Sequence, residues 1–158
     1  GLAFQVITAA KLAKNGAPLE TILNAIDLHR SHTEIYVFLN TLENLIRGGR
    51  ISKAAGGIAN LLNIKVMAEV KDGELRVAAK GRGKRFIRKE VDELVDRIQT
   101  VAPAKVGLTH VDNLTQASEV ANRIKSALPD TLVTIHEAGP VISTYTSVGA
   151  LAIEFYTD

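Results

Sequence analysis

Asp72-Gly73, set between apolar stretches at Ile64 to Val70 and Leu75 to Lys80, constrains this chain more than any other feature. A type I′ turn needs positive φ at both central residues, and Asp-Gly accepts that at low cost, so the flanking stretches predict an antiparallel hairpin. The remainder alternates between helical and strand-like stretches. Residues 2–14 predict a buried helix stopped by Asn15-Gly16, and Pro18 stands at the first position of a second helix. There Leu19, Ile22, Leu23 and Ile26 recur at i, i+3, i+4 and i+7, and the helix ends near His29 to His32. Glu34 to Leu39 predicts a strand, and Leu42 to Arg47 a short helix closed by Gly48-Gly49. A further helix is expected from about Ser52, with Gly56-Gly57 inside it where a neighbour can approach the backbone closely.

The longest helix is expected over Lys84 to Val101, with Ile87, Val91, Leu94, Val95 and Ile98 on one face. Val106 to His110 follows as a strand, Asp112 or Asn113 caps a helix to Leu128, and Leu132 to His136 is the next strand. Val141 to Thr144 and Leu151 to Tyr156 are expected as closing strands hinged at Gly149. Strands alternating with helices, with hairpins among them, predict an α/β fold: a mixed sheet with helices packed on it.

With 158 residues, 46% of them hydrophobic, the chain can bury one good core. It has no cysteine, which excludes disulfides and thiolate metal sites and leads to the expectation of a cytoplasmic protein. No stretch approaches the 18 or so apolar residues of a membrane span. A formal charge of +2 does not by itself indicate a nucleic-acid protein. The chain opens on Gly1 and the apolar run Leu2 to Ile7, without Met, so a fragment is expected. A helix apolar on most of its circumference then has its partners in preceding sequence.

Three segments could carry chemistry. Gly48-Gly49-Arg50-Ile51-Ser52-Lys53 is a glycine turn feeding a helix, and its amides with the Arg50 guanidinium suit a carboxylate or phosphate. A C-cap followed by an N-cap reads the same way, and the spacing is not that of a Walker A loop. Residues 80–89 hold six basic side chains and no acid, at a helix start where the macrodipole prefers acids. Such a run suits a solvated face, a protein partner or nucleic acid. Gly139 to Ala150 is rich in hydroxyls that could orient a carboxylate, although strand and turn residues have the same composition. His29 and His32 lack a third metal ligand at a convincing spacing, and no hydrolase, zincin or dinucleotide signature occurs. No metal and no cofactor are expected.

In order, Thr41 to Lys53, Leu61-Leu62-Asn63-Ile64-Lys65 and Asp72-Gly73 resemble the DegV family, and the first helices and Val141 to Phe155 also look like its segments. The resemblance implies the carboxyl-terminal part of a two-domain carrier, not an enzyme. Such a carrier grips a long-chain fatty acid such as palmitate and presents it to a separate fatty acid kinase, feeding phospholipid synthesis. Residues 1–32 would be a helical segment packing with a missing amino-terminal domain, and 33–158 the lipid-binding domain. Arg50 matches the family's arginine near the carboxylate, and Arg82 the basic position linked to the kinase, with Lys84 and Arg85 beside it. Tyr145 falls where many members have histidine, and Thr146-Ser147-Val148-Gly149-Ala150 replaces their Thr-Gly-Pro-Gly-Ala run. A phenol donates a hydrogen bond but does not become a cation, which bears on acyl-phosphate handling more than on fatty-acid binding.

On this reading the strand at Val37 to Leu39, the helix at Ile51 to Leu62 and the closing strands line the acyl tunnel, with Phe38, Ile51, Ile58, Leu61 and Leu62 among the lining residues, while Arg50, Tyr145 and Thr146 face the ligand head. Burial of each CH₂ contributes about 0.8 kcal/mol, so head-group contacts need only set orientation. The alternatives are a nucleic-acid-associated regulator using residues 80–89 and a small-substrate enzyme using Arg50.

Overall fold

The computed structural model describes residues 1–51 and 64–156. Two helices, α1 (Leu2–Lys14) and α2 (Leu19–His32), lead into β1 (Thr33–Leu39) and the five-residue α3 (Glu43–Arg47). The hairpin of β2 (Ile64–Lys71) and β3 (Glu74–Arg82) follows, then α4 (Gly83–Val101), β4 (Lys105–His110) and α5 (Leu114–Ala127). The described chain closes with β5 (Leu132–Glu137), α6 (Pro140–Thr146) and β6 (Leu151–Tyr156). The strands form one sheet in the order β3-β2-β1-β6-β4-β5. Only β4 and β5 run parallel, joined through α5, and the other pairs are antiparallel. The protein is thus a mixed α/β fold, as the hairpin required. Asp72 (φ 54°) and Gly73 (φ 78°) are both left-handed, so the turn has the geometry its two residues predict.

Because strand side chains alternate, the sheet presents two faces. One is packed under α4 and α5: Val91, Leu94, Val95 and Ile98 from α4, with Val120, Ala121 and Ile124 from α5, close on Phe38, Leu108, Leu151, Ile153 and Phe155. The other face is covered near the end of β1 by a second cluster of Leu39, Leu42, Leu45, Ile51, Val66 and Ala150, with Tyr145 against it. Farther along the strands this face is open.

One expectation is corrected. Residues 141–144 lie in a helix, α6, rather than a strand. Pro140 stands at its first position, and the hydroxyls of Thr144 and Thr146 donate to carbonyls four residues back, at 2.8 and 2.9 Å. These hydroxyls therefore satisfy helix acceptors instead of competing for them. Helix α1 is in place, and within this chain Phe4 is its one buried residue, while Leu2 and Val6 are 73% and 58% exposed. It packs on α2, where Thr8 Oγ1 meets His29 Nε2 at 3.1 Å, and the His29 ring lies 4.2 Å from that of Tyr156 on β6.

Candidate functional site

The open face is a groove of about 980 Å³, at the upper end of the range for ligand pockets. Strand register builds its floor. Val77, Ala68, Val37, Ala152 and Thr109 are successive cross-strand partners from β3 to β4, so all five point to one side. Ala152 keeps this row low where it lines the groove, and Ala68 is fully buried in the second cluster. One step along, Ile35 pairs with Glu154, which pairs with Gly107, and a Cβ on Gly107 would stand 2.8 Å from Glu154 Oε1.

The roof comes from two short helices and their flanking turns: Leu45 and Ile51 on one side, Val141, Ile142, Tyr145 and Thr146 on the other. Asn44 on α3 holds them together, its Nδ2 donating to Thr144 O and to Ser147 Oγ, both at 2.9 Å. Val141 and Ile142 are 69% and 54% exposed, apolar surface turned to an unfilled space.

Arg50 and Tyr145 share one part of the lining. The guanidinium carbon of Arg50 lies 5.1 Å from the Tyr145 ring centroid, within cation–π range. Arg50 is exposed and pairs with no acid among the described residues. Gly48 explains why the ring can sit there: a Cβ on it would be 2.2 Å from Tyr145 Cε1. At the β2–β3 turn, Arg76 binds Asp72 and Glu74 at 3.5 and 3.1 Å, so that edge of the groove carries paired charges.

The structure brings Arg50, Ile51, Tyr145 and Thr146 together at one groove. It does not bring Phe38 there. Phe38 is 2% exposed and belongs to the core under α4 and α5, because its neighbour Val37 takes the groove side of β1. Ile58, Leu61, Leu62 and the Gly56-Gly57 pair lie outside the described residues. Thr146 lines the groove but its hydroxyl donates within α6, so toward a ligand it offers lone pairs. Val37, Val141, Ile142 and Ala152, from segments expected to line the tunnel, also border the groove, whereas Ile35 and Thr109 lie outside those segments. Alternation along β1, β4 and β6 marks Ile35, Thr109 and Ala152 as one face but does not say which face stays open.

Residues 80–89 lie away from this groove, on β3 and the start of α4. Arg82, Lys84, Arg85 and Arg88 are exposed and have no acidic partner among the described residues, whereas Lys89 binds Glu93 at 2.9 Å. That contact raises the Lys89 pKa. Arg82 is the N-cap of α4 without a side-chain cap, and the first turn holds no acid. Lys84 and Arg88 also border a smaller crevice of about 490 Å³ between α4 and α5. Among the described residues there is no cluster of three or more His, Cys, Asp or Glu that could hold a metal, and no helix is long and apolar enough to cross a membrane.

Comparison with known proteins agrees with this geometry. The family model described as uncharacterised protein, DegV family, matches residues 1–158. A DegV domain-containing protein of Streptococcus pneumoniae is 38% identical over 152 residues, covering 96% of this chain and 54% of its own length. One from Listeria innocua is 34% identical over 160 residues, covering 100% and 57%. The chain thus spans about half the length of the curated relatives it matches. Among solved structures, a DegV family protein from Eubacterium eligens loaded with heptadecanoic acid superposes with TM-score 0.83 at 27% identity, over 99% of this chain and 56% of that one. DegV of Bacillus subtilis, described as a fatty acid binding protein, gives TM-score 0.84 at 25% identity over 99% and 56%. The family model spans every residue of the chain and a curated relative is 38% identical over 96% of it, so this chain belongs to the DegV family.

Proposed function

We propose that this chain is the tail-holding part of a longer carrier, which binds a long-chain fatty acid and performs no chemistry on it. The observation that carries the reading is the groove itself: a largely apolar floor and roof, with a phenol and a guanidinium that has no acidic partner among the described residues at one place on its wall. Burying an acyl chain contributes about 0.8 kcal/mol per CH₂, so a palmitate-sized tail supplies the affinity. Arg50 then orients the carboxylate by a charge-assisted contact. A solved relative holding heptadecanoic acid supports a straight-chain acid as the ligand. The exposed apolar residues of α1 and α2 would be covered by the remainder of the longer protein, which works in the cytoplasm.

The acid is then presented to a separate kinase, with Arg82, Lys84 and Arg85 as the docking patch. Supporting this are the lack of described acidic partners for these side chains and their position on a helix start that itself attracts anions. Mass spectrometry of an organic extract of the purified full-length protein tests the ligand. A bound fatty acid is expected, and added palmitate should raise thermal stability. Repeated extracts without fatty acid, together with no thermal shift, would end the carrier reading.

A further inference from the structure

We infer that Tyr145 is a positioning residue for Arg50: its ring holds the guanidinium beside the groove as a cation with charge to spare for a carboxylate. This rests on the fatty-acid reading of the groove. Among the described residues, five arginines are paired with carboxylates, Arg30 with Asp27, Arg47 with Glu43, Arg76 with Asp72 and Glu74, Arg97 with Glu34 and Arg123 with Asp92, while Arg82, Arg85 and Arg88 stand on the exposed start of α4 without one. Arg50 is held differently, 5.1 Å above the centroid of an aromatic ring. A carboxylate partner would neutralise the guanidinium, whereas a ring quadrupole orders it and leaves its N–H donors unpaired.

The ring is itself fixed from below and from the side. It lies on Gly48, where a Cβ would come within 2.2 Å of Cε1, and α6 is tied to α3 through Asn44. Gly48 and Arg50 thus both adjoin the Tyr145 ring. On this account the phenol oxygen is dispensable and the π face is not. The role usually given to a ligand-facing tyrosine, a hydrogen bond from its hydroxyl, makes the opposite forecast.

The test compares affinities for palmitate and palmityl alcohol in the full-length protein, since only the acid uses the guanidinium charge. Tyr145→Phe is expected to keep the wild-type preference for the acid. Tyr145→Met, with Tyr145→Leu as a second variant should the first fail to fold, is expected to reduce that preference by about two- to fivefold. In the Arg50→Ala background the same change should have no further effect. Equal weakening of acid and alcohol would make Tyr145 merely structural, and an undiminished effect without Arg50 would show that it acts alone. Either result overturns the inference, as does loss of the preference in Tyr145→Phe. A wild-type protein that binds neither probe would instead overturn the fatty-acid reading and this inference with it.

Discussion

Asn44 Nδ2 donates to Ser147 Oγ at 2.9 Å, joining two helices of five and seven residues that lie a hundred positions apart in the chain. Helices this short do not persist alone, since nucleation is costly and few bonds follow it. Their stability depends on each other and on the sheet below. Asn44→Ala removes this contact and the one to Thr144 O, two hydrogen bonds worth about 1 kcal/mol each. A denaturant midpoint lowered by about 1–2 kcal/mol of stability is expected, with faster proteolysis at residues 140–149. An unchanged midpoint would mean that the roof is held by apolar contact alone.

Gly48→Ala tests the seat of Tyr145. Gly48 has φ −81°, which any residue adopts, so the effect is steric rather than conformational. The added methyl would overlap Cε1 and Cδ1 of the ring, at 2.2 and 2.7 Å. Overpacking of this kind costs about 1–3 kcal/mol, and a melting temperature lowered accordingly is expected. Tyr145→Ala in the same background should recover part of the loss, because it removes the atoms in conflict.

The sequence shows the sheet-forming pattern well and the site only in part. Asp72-Gly73, the heptad-like spacing on α4 and the glycines after α3 each impose a local geometry, so their elements fall where expected. Segment 141–146 does not. Val-Ile-Ser-Thr-Tyr-Thr favours a strand by side-chain preference, and only Pro140 after Gly139 marks a helix start. Phe38 shows a second limit: alternation separates Val37 from Phe38 but leaves open which of them faces a ligand. The packing of α4 decides it, by covering the Phe38 side. Arg50 is singled out by a glycine turn carrying an arginine, and the structure places it on the groove wall. The cation–π contact with Tyr145 was not legible, since the two lie 95 positions apart.

Tyr36 gives the fold a defined alkaline limit. Its hydroxyl donates to Glu34 Oε2 at 2.8 Å and accepts from Arg97 Nη1 at 2.9 Å, while Arg97 Nη2 reaches Glu34 Oε1 at 2.6 Å. Burial, then the hydrogen bond and charge of Glu34, push the phenol up to about 12, against the opposing pull of Arg97. The folded state therefore favours the protonated phenol. This contribution is complete below the ordinary tyrosine value of 10.0 and disappears as the pH climbs from there through about 12. Ultraviolet titration should show one phenol ionising late, and stability falling across that window. Tyr36→Phe should flatten this part of the profile, and a wild-type profile in that variant would refute the assignment.

Arg50→Ala should weaken fatty-acid binding without abolishing it, because the tail is held by burial along the groove. A charge-assisted contact contributes about 1–3 kcal/mol, and the dissociation constant for palmitate should rise by the corresponding factor. Arg50 makes no described ion pair, so its removal leaves no buried partner stranded and the melting temperature should hold. Calorimetric titration of the folded variant decides, and unchanged affinity would remove Arg50 from the site.

Reversing the charges of Arg82, Lys84 and Arg85 separates docking from ligand binding. All three are exposed and none lines the large groove, so a triple change to Glu should leave fatty-acid content unaltered. It should also relieve the mismatch between a basic first turn and the helix macrodipole, so the fold should not weaken. Association with an acidic kinase surface depends on steering by this patch, and it should slow while dissociation quickens less. Interferometry at two salt concentrations reads this directly: wild-type association falls as salt rises, and that of the variant is slow at both. Extraction of the same samples gives the ligand content. Loss of fatty acid along with partner binding would place the segment in the ligand site, and loss of neither would leave it a solvated helix face. Tight binding to random-sequence DNA with a steep salt slope would instead favour a nucleic-acid role for residues 80–89.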